Sequence, residues 1–270
     1  MNRIPLLLAA VACVPMPAFA DDFASELANA ARMTLLPGWQ DADGRYVAAV
    51  RLQLAPGWKT YWREPGSAGI APEFDWSGSD NVAAAEPQWP APQIFDLDGT
   101  RVIGFAEEMI LPFVIAPMDP DQPVQLSVSA AYGVCKDICI PITGEGQAAM
   151  TPETIDNHQT ISSALDAAPR AAADSGVETV TCRLDPLGED YVINVDVAFA
   201  AAAPRSEATI LELGSRDLWV SGTEHRQNDR NLHIRSDVMY FGEVPWTLNR
   251  EAFRLTVIGP DGAIDIQGCG

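Results

Sequence analysis

Apolar residues recur at every second position along much of the chain. Between Tyr46 and Leu54 they occupy the even positions Tyr46, Ala48, Val50, Leu52 and Leu54, the period of a half-buried β-strand. Glu108 to Ala116 is a further apolar run, and Val124 to Ala130 alternates again. Turn-forming pairs separate these segments: Asp43-Gly44, Pro56-Gly57, Pro65-Gly66, Asp98-Gly99 and Asp119-Pro120. Short strands punctuated in this way from Ala31 to Met150 predict an antiparallel sandwich.

The period changes after Met150. Thr151-Pro152-Glu153 is a helix-start signal, and Ile155, Ile161, Leu165 and Ala168 form an imperfect apolar stripe that Pro169 ends. His158 is expected on the solvated side of this helix. From Glu178 the β pattern resumes in seven short runs: 180–184, 191–199, 208–213, 218–221, 232–238, 253–258 and 263–267. The expected fold is all-β. A first sandwich domain spans residues 21–150, a short helical linker 151–177, and a second sandwich domain 178–270.

Residues 1–20 stand outside this scheme. Arg3, the apolar stretch Ile4 to Val14 and the small-residue site Ala18-Phe19-Ala20 read as a secretory leader cleaved after Ala20. No later stretch approaches the roughly 18 apolar residues of a membrane span. The mature chain is therefore expected to be periplasmic or secreted and not inserted in a membrane. Composition agrees: 47% hydrophobic residues and a mean hydropathy of +0.01 suit a globular protein. A formal charge of −20, from 17 Lys+Arg against 37 Asp+Glu, argues against nucleic acid and anionic lipid as partners. The chain has only two lysines, Lys59 and Lys136.

Loss of the leader removes Cys13 and leaves four cysteines: Cys135, Cys139, Cys182 and Cys269. In an oxidising compartment four suggest two disulfides. Cys182 falls in the first strand of the second domain and Cys269 just after its last. Bridging them closes a loop of roughly 88 residues, worth about 4.5 kcal/mol on a chain-entropy model, and marks a structural staple. Cys135-Lys136-Asp137-Ile138-Cys139 differs. Its loop is worth only about 2 kcal/mol on the same model. An extended strand would hold these cysteines about 13 Å apart, whereas a disulfide needs Cα atoms within about 7 Å, so Lys136 to Ile138 must turn.

Four chemistries remain open for this short pair. It could be a redox-active dithiol, with Lys136 favouring the thiolate and Asp137 opposing it, or an inert structural bridge. It could bind Cu(I) with help from Met109 or Met118, or serve a Cys–His hydrolase. Zinc would need two further ligands, and none of the three histidines lies near in sequence.

The runs Gly57-Trp58-Lys59-Thr60-Tyr61-Trp62-Arg63-Glu64-Pro65-Gly66, Phe74-Asp75-Trp76-Ser77, Trp89-Pro90-Ala91-Pro92 and Gly133-Val134-Cys135-Lys136-Asp137-Ile138-Cys139-Ile140-Pro141 resemble a known family. It is the N-terminal periplasmic domain of the DsbD/ScsB-type thiol:disulfide interchange proteins. The resemblance covers residues 30 to 150. The second domain, with Gly268-Cys269, more loosely resembles the additional immunoglobulin-like domain of the ScsB-like branch. Three residues between the cysteines, where the DsbD branch has five, also favour that branch.

The resemblance implies two immunoglobulin-like sandwiches and a protein-disulfide reductase without cofactor or metal. Cys139 would form the mixed disulfide with partners and Cys135 would resolve it. This chain carries neither a multi-span membrane domain nor a thioredoxin module. Electrons would therefore come from a separate membrane-embedded thiol:disulfide reductase and pass to periplasmic thioredoxin-fold proteins, in disulfide isomerisation, cytochrome maturation or copper tolerance. By analogy a cap within Asp96 to Ala106 would shield the sulfurs through Phe105 or Ile103, unless Phe105 is ordinary core. Tyr132 would line the pair, and Tyr61, Trp62, Trp76 and Trp89 are expected in the core. The rival from another class is a non-catalytic copper-handling or binding module whose short disulfide only shapes a loop.

Overall fold

The computed structural model describes residues 29–66, 69–97, 100–188, 190–215, 217–242 and 246–270. The leader read from residues 1–20 lies outside them. Nineteen strands and one α-helix are present among the described residues, so the all-β expectation holds. One sheet runs β1(Ala31–Gln40), β2(Tyr46–Leu54), β8(Glu108–Pro117), β5(Val82–Pro87) in spatial order. Facing it is a sheet ordered β10(Cys139–Met150), β9(Val124–Cys135), β3(Lys59–Tyr61), β7(Thr100–Ala106), β6(Gln93–Leu97). The short β4(Glu73–Asp75) joins β9 further along the edge that β3 uses. Tyr46, Leu52, Leu111 and Phe113 of the first sheet and Val124, Leu126, Val128 and Val134 of the second share one buried core.

Downstream lie β11(Arg170–Ala171), β19(Gly262–Gln267), β18(Arg254–Gly259) and β14(Ala208–Glu212) in one sheet. Its companion is ordered β12(Val177–Leu187), β13(Asp190–Phe199), β17(Asn231–Tyr240), β15(Leu218–Val220), with β16(Glu224–Asn228) also on β17. Both sandwiches are immunoglobulin-like. Strands β16 and β11 have no apolar signature in the sequence, since His225-Arg226-Gln227-Asn228 and Arg170-Ala171 offer no alternation.

Cys182 on β12 and Cys269 just after β19 are disulfide-bonded with Cα atoms 5.8 Å apart. That bridge ties the two sheets of the downstream sandwich together, as its long loop suggests. The tail after β19 also runs along β12, where Gly270 N–H donates to Val180 O at 2.9 Å.

Two features of packing exceed what alternation predicts. Helix α1(His158–Asp166) does not hang between sandwiches. Its Ile161 is fully buried with Leu36, Val47 and Ala49, on the outer face of β1 and β2. This cover is why β2 is buried at five consecutive positions instead of at every second one. His158 is exposed, as expected, with its ring 4.5 Å from that of Trp39, whereas Ile155 of the expected stripe is exposed and precedes the helix. Likewise the β14–β18–β19 sheet is buried on both faces. Leu211, Leu255, Val257 and Ile264 face the β13–β17 sheet, whereas Ala208, Ile210, Ile258 and Ala263 join the core of the first sandwich.

Candidate redox site

Strand β9 alternates buried and exposed as far as Ala131, then is buried at four successive residues, Tyr132 to Cys135. The even residues still point into the sandwich. Burial of the odd ones means that something covers the outer face at Gly133 and Cys135. Cys135 ends β9 and Cys139 begins β10, and the two are register partners across the hairpin. They are disulfide-bonded with Cα atoms 4.1 Å apart, near the closer spacing of directly opposed antiparallel residues. Lys136 to Ile138 form the turn, closed by Lys136 N–H donating to Ile138 O at 3.1 Å.

The two sulfurs are unequally placed. Cys135 is 4% exposed, whereas Cys139 is exposed, beside the exposed Ile138. A small cluster covers Cys135: Tyr61 of β3 and Val102 of β7, with Phe95 of β6 packed against them. Ile103 and Phe105, the side chains expected in this cover, are not there. They belong to the main core, because side chains on a strand alternate and these two have the opposite parity to Val102. The β6–β7 hairpin does cover the pair, through Phe95 and Val102. Its turn residues Asp98 and Gly99 lie outside the described residues. Tyr132 is corrected for the same reason: three residues from Cys135 along one strand, it faces the core and does not line the disulfide.

Tyr61 departs from expectation in kind. Trp62, Trp76 and Trp89 do pack in or against the core, but Tyr61 lies on the outer face, and its hydroxyl donates to Cys139 Sγ at 3.1 Å. Burial raises its pKa above the ordinary tyrosine value, so the oxygen keeps its proton and remains a donor. To reach β10 the ring must cross β9, and it does so over Gly133. A Cβ there would come within 2.8 Å of Tyr61 Cε2 and 2.7 Å of Ile70 Cβ. Beneath the ring, Thr60 Oγ1 donates to Gly133 O at 2.9 Å and holds β3 against β9.

Both lysines of this acidic chain sit at the same end of the sheet. Lys59 is the register partner of Cys135, and its ammonium lies 5.4 Å from the centre of the Phe95 ring. Lys136 runs its stem past Gly57, 3.4 Å from where a Cβ would stand. Gly57 has φ +84°, the left-handed conformation that glycine adopts without strain. Cations beside a cysteine favour its thiolate. The thioethers named for a copper site are elsewhere: Met109 is buried on β8 of the opposite sheet, and Met118 is exposed just beyond β8.

Residues 32–150 match the family model of the thiol:disulfide interchange protein DsbD, N-terminal region. No curated protein matches the chain. Among solved structures, the N-terminal periplasmic domain of ScsB from Proteus mirabilis aligns with a TM-score of 0.63 at 20% identity, over 89% of this chain and 92% of that one. The N-terminal domain of DsbD from Neisseria meningitidis in the reduced form aligns over 50% of this chain and 95% of its own, at 18% identity and a TM-score of 0.31. The first likeness extends the shared fold through both sandwiches. The family match falls on the segment that carries the cysteine hairpin, Tyr61 and the β6–β7 cover, and in residues 32–150 the chain is similar to the N-terminal region of DsbD-type thiol:disulfide interchange proteins.

Proposed function

We propose that this protein is a periplasmic protein-disulfide reductase that relays two electrons through Cys135 and Cys139. The observation that carries the reading is the asymmetry of the pair: Cys139 is exposed and Cys135 is buried. In the loading step, a donor thiolate attacks Cys139 Sγ and the Cys135 sulfur leaves as thiolate. The donor's second thiol then displaces Cys139, leaving this pair as the dithiol and the donor as a disulfide. In the delivery step, the Cys139 thiolate attacks an acceptor disulfide, and Cys135 resolves the mixed disulfide so formed. Each half-cycle moves two electrons with their two protons, and neither needs a metal or a base.

The donor would be a separate membrane-embedded thiol:disulfide reductase, and the acceptors periplasmic thioredoxin-fold proteins. Export through the 1–20 leader, cleaved after Ala20, accords with the periplasmic origin of the ScsB domain. We assign residues 21–150 to the redox domain, 151–177 to the linker and 178–270 to the second domain, held by its own Cys182–Cys269 bridge.

The test uses graded reduction followed by alkylation and peptide mass spectrometry. Cys135 and Cys139 should become alkylatable under mild reducing conditions while Cys182 and Cys269 stay protected. A Cys135→Ala variant should then trap a thioredoxin-fold partner through Cys139. If the short bridge resists reduction as strongly as the long one and no partner is trapped, the relay reading fails.

A further inference from the structure

Two residues beyond Tyr61, the side chain of Arg63 reaches from the first sandwich to the second. Arg63 grips both carboxylate oxygens of Glu212 of β14, its Nε lying 3.1 Å from Oε1 and 3.2 Å from Oε2 and its Nη2 3.0 Å from Oε1. Its Nη2 also donates to Thr256 Oγ1 of β18 at 3.2 Å, and Asp265 of β19 lies 3.9 Å away. The Arg63 and Glu212 side chains are only 11% and 23% exposed. A paired, bidentate, largely desolvated guanidinium is a strong and directional anchor.

All three residues of strand β3 pair with β7, but on the side of the cysteines the strand is less fully held. It is three residues long, and its ladder to β9 covers only Lys59 and Thr60. Tyr61 is therefore the point at which pairing with the cysteine-bearing strand runs out. Beyond it the chain is held by Trp62, whose backbone N–H donates to Ile103 O at 3.0 Å. Arg63 then stacks 3.8 Å over the Trp62 ring and is clamped at its far end by Glu212. The segment returns, and Ile70 lies against Gly133 over the Tyr61 path. A phenol that must reach across one strand to a sulfur on the next tolerates little displacement before the hydrogen bond is lost.

We propose that Glu212 of the second sandwich is a positioning residue for the redox pair, acting through Arg63 and the Tyr61 hydroxyl to stabilise the Cys139 thiolate. The inference rests on Cys139 being the attacking thiol. It gives the second domain a part in the chemistry: the clamp sets Tyr61, Tyr61 donates to the sulfur, and the donated bond favours its charged form.

The experiment measures the pH dependence of Cys139 alkylation in the full chain, resolved by mass spectrometry of its peptide, in a Cys135→Ala background where no partner is required. Glu212→Gln should raise the midpoint pH of alkylation and lower the rate at pH 7 by about tenfold to a hundredfold, the effect of losing one hydrogen bond to a charged group. Tyr61→Phe should do the same. The double variant should fall no further than Tyr61→Phe alone, because both act through one bond. Arg63→Lys, which keeps the charge and loses the bidentate fork, is the second probe should Glu212→Gln not fold, and it should shift the midpoint in the same direction. An unshifted midpoint in the clamp variants, or an effect that adds in full to that of Tyr61→Phe, overturns the proposal. Neither result bears on whether Cys139 traps a partner, so failure of the coupling and failure of the relay are separately visible.

Discussion

Gly133 shows what a single missing Cβ permits. The contacts that a methyl group would make, 2.8 Å to Tyr61 Cε2 and 2.7 Å to Ile70 Cβ, are shorter than packed atoms tolerate, and neither neighbour is a freely rotating chain end. Gly133→Ala should destabilise the protein by about 1–3 kcal/mol through overpacking. It should also lift Tyr61 from Cys139 and so slow alkylation as Tyr61→Phe does. A thermal melt and the alkylation profile check both halves. A variant that loses stability yet keeps the wild-type profile would show that the tyrosine reaches the sulfur by another path. The sequence held part of this. Spacing alone required a turn over Lys136 to Ile138, and the turn is there. That Gly133 serves a ring from another strand was beyond a one-dimensional reading, because the partner lies far upstream on β3. Parity within each strand was the unused signal. Tyr132 and Cys135 are separated by an odd number of steps and so had to face opposite ways.

The β6–β7 hairpin extends the same lesson to an element. A cover from this region was expected, and the hairpin provides it. The facing residues, however, are Phe95 and Val102, cross-strand partners in the ladder, while Ile103 and Phe105 seal the core beneath. One strand thus serves two layers, and only the known direction of one residue fixes the rest. Phe95 is partly buried and carries Lys59 over its ring. Phe95→Ala should cost about 1–2 kcal/mol, below the range for a fully buried phenylalanine. It should also hasten reduction of the Cys135–Cys139 bridge by dithiothreitol, since the cluster over the buried sulfur loses its outer support. Equal reduction rates in variant and wild type would assign the shielding to Tyr61 and Val102 instead. Helix α1 was legible as a helix from Ile161 and Leu165 of its stripe, but the expected start at Thr151-Pro152-Glu153 is too early: the helix begins at His158, with Asn157 as its N-cap. Its seat on β1 and β2 was marked only by Val47 and Ala49, apolar at positions that a strand buried on one face alone would give to polar residues.

At the scale of the whole molecule the acidity of the chain acquires a location. The junction between the sandwiches collects Arg63 and Arg254 against Glu64, Glu212 and Asp265, one carboxylate more than the cations can pair. Asp265 is engaged by Arg254 at 2.7 and 3.0 Å, and Glu212 by Arg63. Glu64 is left over. It borders a cleft of about 510 Å³ with Asp96 and Arg101 of the cap region on one side and Thr209 of β14 on the other. Burial pushes its pKa up to about 7, the Glu212 charge adds to the rise, and Arg63 only partly offsets them. A carboxyl whose folded pKa lies above its unfolded value binds its proton more tightly when folded. Its contribution to stability is therefore complete below about pH 4.5 and is lost as pH rises through about 7. Glu64→Gln removes the titrating group and keeps its shape, so the variant should melt higher than wild type above pH 7 and nearly together with it at about pH 4.5. Thermal melts across that range decide the matter. Parallel curves would mean that the Glu64 proton is not held at the junction, and the excess charge would then have to be relieved by Glu212 or Asp265. The same junction anchors Arg63 and, through it, the strand that ends in Tyr61, so a proton taken up beside Glu212 should leave the clamp intact while the charge around it changes. Cys139 alkylation in Glu64→Gln should accordingly keep the wild-type midpoint, which separates the electrostatics of the junction from its mechanical hold on the redox pair.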